Sequence, residues 1–457
     1  MKIIRFEAEK VRGYMNFNIA FDKQLSFLIG INGTGKTTVL KLISALLTPS
    51  YFDLVMIDFS DISLTCESLS EGKPKQLTIN CTKRGNKMTL SFYNDSYSVA
   101  NECFIPDSSV VAEMKQDIVD DDLFRGEAVK FESSNVFKEI KKLPSIIVLG
   151  LNRKVDYRTN SFIPDYRDRI VNLRSSRHFN DMNSDTLNDA LSEIVMLIHN
   201  RVRQNANGQY RLADVFRKRV FAESFRVENQ IMSASTQFEA EIEKIAERRV
   251  KLNDAIDKIG LTDLTEQFEL YFDSIEKTLE MLSDKSLKES DEQLYFKTLL
   301  QWMIKSAQIE KIDNIIGYAN EYAENIKKIN DPIQRFVESV NMFFKESGKE
   351  IEVDKKGELC VKILGVRNEN TIYDLSSGEK QLVVMLARIA LHSKNNYPSI
   401  FIIDEPELSL HISWQELFVD ALLKASPKTQ FILATHAPAI VSDISRRSNC
   451  IDLSSKQ

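Results

Sequence analysis

The sequence predicts an α/β fold whose sheet domain is split by a long helical insertion and carries a small antiparallel β subdomain. Three observations predict it. The run Gly30-Ile31-Asn32-Gly33-Thr34-Gly35-Lys36-Thr37 stands between an apolar strand-like block and a helix-like block. Strand and helix patterns alternate again from Glu350 onward. Between them, from about Asn160 to Ser347, glycine is scarce, Glu, Lys and Leu are frequent, and apolar residues follow a helical period.

Taken in order, MKIIRFEAEKV, YMNFNIAF and QLSFLIG read as strands, and KTTVLKLISALL takes up helical spacing. DISLTCESL, KQLTINCTK and NKMTLSFYN are short β-prone segments separated by turn residues such as Gly85-Asn86, which predicts the small antiparallel sheet. After the acidic loop Asp117 to Asp122, LPSIIVLGL reads as a buried strand. Within the insertion, Phe238, Ile242, Ile245, Arg249, Leu252, Ile256 and Ile259 alternate spacings of four and three, a short heptad seam with one charged position. At 1.5 Å per residue it spans roughly 33 Å, which suits either a bundle helix or a dimerising coil. KEIEVD and ELCVKIL restore strand character, followed by a helix from Gly378, the strand SIFIID, a helix around Trp414 to Leu423, the strand QFILAT and a last strand near Cys450. The expected division is residues 1–158 for the first half of the sheet domain with the β subdomain, 159–347 for the insertion as arm, dimerisation or partner-binding element, and 348–457 for the second half.

Composition narrows the class. The 457 residues are 43% hydrophobic and 28% charged, with a formal net charge of −6, so any attraction to nucleic acid must come from a local patch. Cys66, Cys81, Cys103, Cys360 and Cys450 show no CxxC spacing, which argues for reduced thiols rather than a zinc site. The N-terminal MKIIRFEAEK lacks an apolar signal run, and no stretch is long and apolar enough to span a bilayer, so a cytoplasmic protein without a membrane partner is expected.

Four motifs carry chemistry. The first matches G-x-x-x-x-G-K-[ST], whose glycines let backbone N–H groups of Asn32, Gly33, Thr34, Gly35, Lys36, Thr37 and Thr38 turn toward phosphates at a helix N-terminus. Lys36 is placed to bridge β- and γ-phosphates and the Thr37 hydroxyl to ligate Mg²⁺, so ATP and Mg²⁺ are the expected cofactors. SIFIIDEP ends an apolar strand with two carboxylates: Asp404 for the Mg²⁺ shell and Glu405 as general base toward water. Ser376-Ser377-Gly378 opens an apolar helix and offers N–H groups and hydroxyls to an anion, although a Ser N-cap paired with Glu379 also explains it. FILATH ends a strand in His436, within reach of a γ-phosphate if the strands pair.

In this order the four motifs resemble an ABC-type ATPase of the SMC- and RecF-like branch: LSSGEKQ is similar to the ABC signature, IIDEPELSLH to the Walker B and D-loop, and ATHAP to the H-loop. The likeness covers roughly residues 1–60 and 365–445. Within the branch the chain resembles ATPases of anti-phage modules, namely the OLD-like ATPase domain, AriA of PARIS and PtuA of Septu; RFVESVNMFFKESGKEIEV is similar to that subgroup as well. The resemblance implies an ABC-type fold and an ATP sandwich in which Lys36, Asp404 and Glu405 of one subunit meet Ser376 and Gly378 of another, with Glu407 to His411 as the D-loop. It implies a homodimer or a higher homo-oligomer of dimers. No glutamine occupies the expected Q-loop place; Asn152 is a candidate stand-in, and Arg12 either lies near the base or is a plain surface residue.

The relatives also frame what is missing. A transporter ATPase would place its signature nearer the loop, and a chromosome clamp would carry far longer arms. An OLD-type nuclease would continue past the H-loop into a metal-binding Toprim domain. Here Gln457 follows His436 closely and no HNH-type cluster occurs, so nuclease activity is expected outside this chain, in a separate effector. Arg153 to Arg226 holds twelve arginines and two lysines against nine carboxylates, a local excess suited to DNA, to an acidic partner or to salt-bridged helix faces. The readings carried forward are a sensor or scaffold ATPase of a two-component anti-phage system, a RecF-like DNA-repair ATPase, and a binding module in which turnover is incidental.

Overall fold

Phe27, Leu28, Phe401, Ile402, Phe431 and Ile432 have almost no exposed surface, because the strands that carry them lie in the middle of a sheet covered on both faces. That sheet is parallel. Its order is β14 (Cys450–Asp452), β3 (Leu25–Ile29), β13 (Gln430–Ala434), β12 (Ile400–Asp404) and β8 (Ile146–Leu149). In the computed structural model the described residues are 1–70, 73–106, 111, 122–144, 146–149, 184–226, 238–284, 291–365, 370–391 and 400–454. Asn152, the arginines from 153 to 177 and most of the acidic loop fall outside them.

The antiparallel sheet is larger than the sequence led us to expect. Six strands pair in the order β2 (Met15–Ala20), β1 (Lys2–Val11), β4 (Asp61–Ser70), β5 (Lys73–Arg84), β6 (Lys87–Asn94) and β7 (Ser98–Phe104). The first two strands of the chain thus join this sheet rather than the parallel one. Their alternation explains why: in β2 every second residue is buried, the mark of a sheet with one covered face. Ile3, Phe6, Ile19, Ile62, Leu64, Ile79 and Leu90 from this sheet share one core with Val39, Leu42, Ile43 and Leu46 of α1 (Lys36–Leu47). Three short helices add to the same core: α2 (Tyr51–Met56) through Tyr51, α3 (Asp122–Ser133) through Phe124 and Phe131, and α4 (Asn135–Lys141) through Val136 and Ile140.

The chain divides into two compact units: Met1–Ile198 with Arg335–Asp354 and Glu358–Gln457, and His199–Gln334 with Lys355–Gly357. The border falls inside α5 (Ser184–Ser224) and α8 (Glu292–Phe344). The start of α5 belongs to the first unit for a visible reason: Asn188 accepts from Lys380, Ser192 bonds Tyr373 and Glu193 pairs with Arg388 at 2.8 Å. The first unit also holds a three-stranded sheet of β11 (Asn370–Thr371), β10 (Leu359–Ile363) and β9 (Lys349–Val353), and the helices α9 (Ser377–Leu391), α10 (Ile412–Ala425) and α11 (Pro438–Val441).

The second unit is helical. The heptad seam lies on α6 (Phe238–Ile259), where Ile245, Leu252 and Ile256 are buried against Phe272, Ile275 and Leu279 of α7 (Thr265–Ser283) and Trp302 and Ile309 of α8. The seam is therefore covered by its own chain as a bundle helix. Its one charged position, Arg249, bonds Glu269, Asp273 and Glu276, spaced along one face of α7. Among the described residues no helix is long and apolar enough to cross a membrane.

Candidate nucleotide site

Parallel pairing brings three strand ends together. Asp404 stands opposite Ala434 and Ala434 opposite Leu28, so the residues just beyond β12, β13 and β3 emerge at one edge of the sheet. Thr435 N–H donates to Leu28 O at 3.1 Å and Glu405 N–H to Ala434 O at 2.8 Å, which extends the alignment one residue past each strand. In open α/β sheets this carboxyl edge is where ligands bind.

The phosphate loop leaves β3 and turns into α1. Gly30, Gly33 and Gly35 all have positive φ, and Gly35 is the N-cap of α1 in a left-handed conformation. The Cβ of any other residue at Gly35 would lie 2.8 Å from Phe17 Cζ and 3.1 Å from Met15 Sδ. The β1–β2 hairpin thus presses directly on the loop. Lys36 is buried and donates to Gly30 O at 2.6 Å and Ile31 O at 3.2 Å, which uses two of its three donors on the loop it closes. The N–H groups of the first helical turn lack intrahelical acceptors by construction and are available to an anion. Thr34 and Thr38 are buried, whereas Asn32 and Gly33 are exposed.

Asp404 is 7% exposed and its Oδ1 has no hydrogen-bond partner. Burial pushes its carboxyl up from the ordinary value; the Thr37 hydrogen bond opposes this, Glu405 adds to it, and Lys41 and Lys36 oppose it. An orphaned buried carboxylate oxygen beside a threonine hydroxyl is a hard-oxygen pair that fits a magnesium ion. Glu405 follows at φ 49 and ψ 60, a left-handed conformation that costs a non-glycine residue about 1–3 kcal/mol. Such strain persists where the surroundings dictate a side chain's aim.

His436 ends the next strand, half exposed, with Nδ1 3.1 Å from Glu407 Oε1. The same oxygen accepts from Thr435 Oγ1 and from His436 N–H, each at 2.9 Å. Glu407 was expected only as the first residue of a loop crossing to another subunit; its carboxylate instead turns inward, 7% exposed. The sequence signal was faint, a carboxylate one residue past Pro406, because the partner strand end lies 28 residues away.

The remaining predicted residues stand apart. Ser376 and Ser377 are exposed at the start of α9, and a capping box forms there: Ser376 N–H donates to Glu379 Oε2 at 2.8 Å and Glu379 N–H to Ser376 Oγ at 3.4 Å. Glu379 is anchored by Lys349 at 2.8 Å. Among the described residues no hydrogen bond or ion pair joins Ser376, Ser377 or Gly378 to the phosphate loop. Leu408 and Ile412, on the segment after Glu407, expose 58% and 65% of their surface. Arg12 sits exposed at φ 52 in the turn of the β1–β2 hairpin, its N–H donating to Asp58 O at 2.8 Å. Of the basic stretch, Arg219 pairs with Glu321, and Arg226 with Glu223 and Glu310.

Comparison with known proteins adds a family. The AAA ATPase domain matches residues 1–441. The chain is 26% identical over 222 residues to the Retron Vc95 probable ATPase of Vibrio cholerae serotype O1 biovar El Tor, a match covering 45% of this chain and 41% of that protein. It is 25% identical over 171 residues to the Septu protein PtuA of Bacillus thuringiensis, covering 37% of this chain and 43% of PtuA. The chain thus spans less than half the length of these curated relatives. Among solved structures, the SMC head domain from Thermotoga maritima aligns over 96% of this chain and 91% of its own, at 12% identity and a TM-score of 0.37.

Proposed function

Because the chain belongs to the AAA ATPase domain family, we propose that it binds and hydrolyses ATP as the sensor or scaffold subunit of a two-component anti-phage system, controlling a separate nuclease or toxin through head-to-tail dimerisation. One observation carries the dimer: within one chain the phosphate loop, Asp404, Glu405 and His436 gather at one sheet edge, whereas Ser376 and Ser377 are exposed and, among the described residues, no hydrogen bond or ion pair joins them or Gly378 to the phosphate loop. A second copy supplies what the first lacks. The exposed Leu408 and Ile412 suit the same contact. The similarity to retron and Septu ATPases supports the defence setting.

The chain's own residues divide the work. Loop N–H groups and Lys36 hold the phosphates, and the orientation of α1 favours their charge. Thr37 and Asp404 would hold a magnesium ion, which screens phosphate charge. Glu405 takes the proton of the attacking water, and His436 faces the γ-phosphate. Ser376, Ser377 and Gly378 of a second copy cover that phosphate, so that ATP joins the subunits and its hydrolysis releases them.

The described arginines after residue 200 that pair with carboxylates of their own unit favour this reading over a RecF-like ATPase gripping duplex DNA. The test is to tag the Glu405→Gln chain in its host and identify what co-purifies with it. A stoichiometric nuclease or toxin supports the proposal; recovery of DNA and repair factors alone replaces it with the RecF-like role. In parallel, Lys36→Ala should abolish ATP turnover, and retained turnover would remove Lys36 and its loop as the phosphate-binding element.

A further inference from the structure

We infer that Glu407 is a positioning residue for His436: it fixes the imidazole with the proton on Nδ1 and presents Nε2 to the open side of the site. Two donors bond one oxygen of Glu407, the Thr435 hydroxyl and the His436 backbone N–H, each at 2.9 Å, and the His436 ring nitrogen Nδ1 lies 3.1 Å from the same oxygen, within ion-pair distance. Glu407 Oε1 accepts from a hydroxyl and an N–H, and toward an oxygen that only accepts, Nδ1 is placed to donate. A ring nitrogen's role is set by the bond the other nitrogen makes, so Nε2 becomes the functional atom. The ring is half exposed while Glu407 is buried, so the anchor is on the inner side and the free nitrogen faces outward. Left to itself, a half-exposed histidine exchanges between tautomers and rotates; here both freedoms are removed before substrate arrives.

The placement has a second effect. Glu407 belongs to the turn Pro406–Ser409, which begins at the strained Glu405. The general base at the end of β12 and the histidine at the end of β13 are therefore held to each other through a single carboxylate. This rests on the ATP-hydrolysis reading above for its catalytic consequence, but not for its geometry.

A purely structural role is the rival account: Glu407 would satisfy Thr435 and the His436 backbone, and the ring contact would be incidental. Imidazole nitrogen resonances of the ¹⁵N-labelled full chain separate the two, with His436→Gln used for assignment. The wild type should show His436 protonated at Nδ1. Glu407→Ala should shift it toward the Nε2–H tautomer, and Glu407→Gln, which keeps an acceptor oxygen, should restore Nδ1–H. In turnover, Glu407→Ala should lower kcat by roughly 10²-fold with KM for ATP little changed, matching His436→Ala. Glu407→Gln should recover part of that rate, and the double variant Glu407→Ala/His436→Ala should be no slower than His436→Ala. An Nε2–H tautomer in the wild type, an unshifted ring in Glu407→Ala, or losses that multiply in the double variant would each overturn the inference. Should Glu407→Ala fail to fold, the wild-type tautomer and the Glu407→Gln spectrum still decide. A chain that shows the Nδ1–H tautomer yet hydrolyses no ATP would sink the ATPase reading and leave the positioning intact.

Discussion

The side chain of Gln430 pairs with both backbone groups of Ile3: Oε1 accepts from Ile3 N–H at 2.7 Å and Nε2 donates to Ile3 O at 2.8 Å. The second amide hydrogen goes to Asp22 O at 2.8 Å, so a wholly buried glutamine has both its donors and its acceptor oxygen engaged. The register of β1 against β4 slips between Ile3 and Arg5, next to the residue whose backbone groups Gln430 engages. One amide thus ties the first strand of the antiparallel sheet to the central strand that leads to His436. Gln430→Leu should cost about 2–5 kcal/mol, because it strands one N–H and two carbonyls in the interior. Gln430→Glu should be worse still, since it offers carboxylate oxygens to two carbonyls. Chemical denaturation of the three chains checks the order, and hydrogen exchange at Ile3 checks the cause; a Leu variant as stable as the wild type would remove Gln430 as the tie.

In the helical unit, Arg249 holds three carboxylates of α7 that would otherwise repel one another along one face. The hydrogen bond to Glu269 first, then that to Asp273, raises the guanidinium above its ordinary value, and the bond that Glu269 accepts lowers the Glu269 carboxyl. A lowered carboxyl stabilises above its ordinary value and loses that contribution as the pH falls through its folded value. Arg249→Met, which keeps the seam apolar, should therefore unfold at lower urea than the wild type near neutrality, and the gap should narrow in acid. A gap that does not change with pH would show that packing, not charge, is what Arg249 supplies.

The same two residues show what sequence can and cannot reveal. The phosphate loop, Asp404, Glu405 and His436 were legible because each sits where an apolar strand stops, and a strand end is a local signal. The seam on α6 was legible by its period, but whether its partner lay within the chain depended on α7, which only the fold supplies. Arg249 read as a flaw in that seam until three carboxylates from another helix came into view. Gln430 opens an apolar strand, and nothing in that segment points to its partner Ile3, which lies at the far end of the chain. The β1–β2 pair was legible as strands and not as members of the six-stranded sheet, since alternation says which face is buried and not which strand is the neighbour.

At the start of α9, Glu379 combines a capping box with the ion pair to Lys349. Burial pushes its carboxyl up, but the bonds from Lys349 and Ser376 outweigh this and leave it below the ordinary 4.5. Its contribution is thus complete at neutral pH and is lost as the pH falls through the lowered value. Glu379→Gln should cost about 1–2 kcal/mol near neutrality, allowing for screening at a helix start, and close to nothing once the carboxyl is protonated. Equilibrium unfolding of both chains from neutral to acid pH measures the gap. A pH-independent difference would assign the effect to the amide's shape rather than to charge.

Gly33 and Gly35 have nearly the same backbone, φ +93 and +90, yet different surroundings. At Gly33 an added Cβ meets nothing within 4 Å, so Gly33→Ala should incur only the left-handed backbone penalty of about 1–2 kcal/mol. At Gly35 the same penalty is joined by a clash with the Phe17 ring tip at 2.8 Å and the Met15 sulfur at 3.1 Å. Relief requires either the hairpin or the start of α1 to move, and the start of α1 carries Lys36 and Thr37. Titration with a fluorescent ATP analogue should therefore show a several-fold loss for Gly33→Ala and a further loss of at least roughly tenfold for Gly35→Ala, the equivalent of ~1.4 kcal/mol. The clash component is testable by itself: Phe17→Leu should weaken binding little alone and should recover part of the Gly35→Ala loss, because it withdraws the ring carbon that the new methyl meets. Equal losses at the two glycines, or no recovery with Phe17→Leu, would mean that the hairpin does not brace the loop and that φ alone governs both positions.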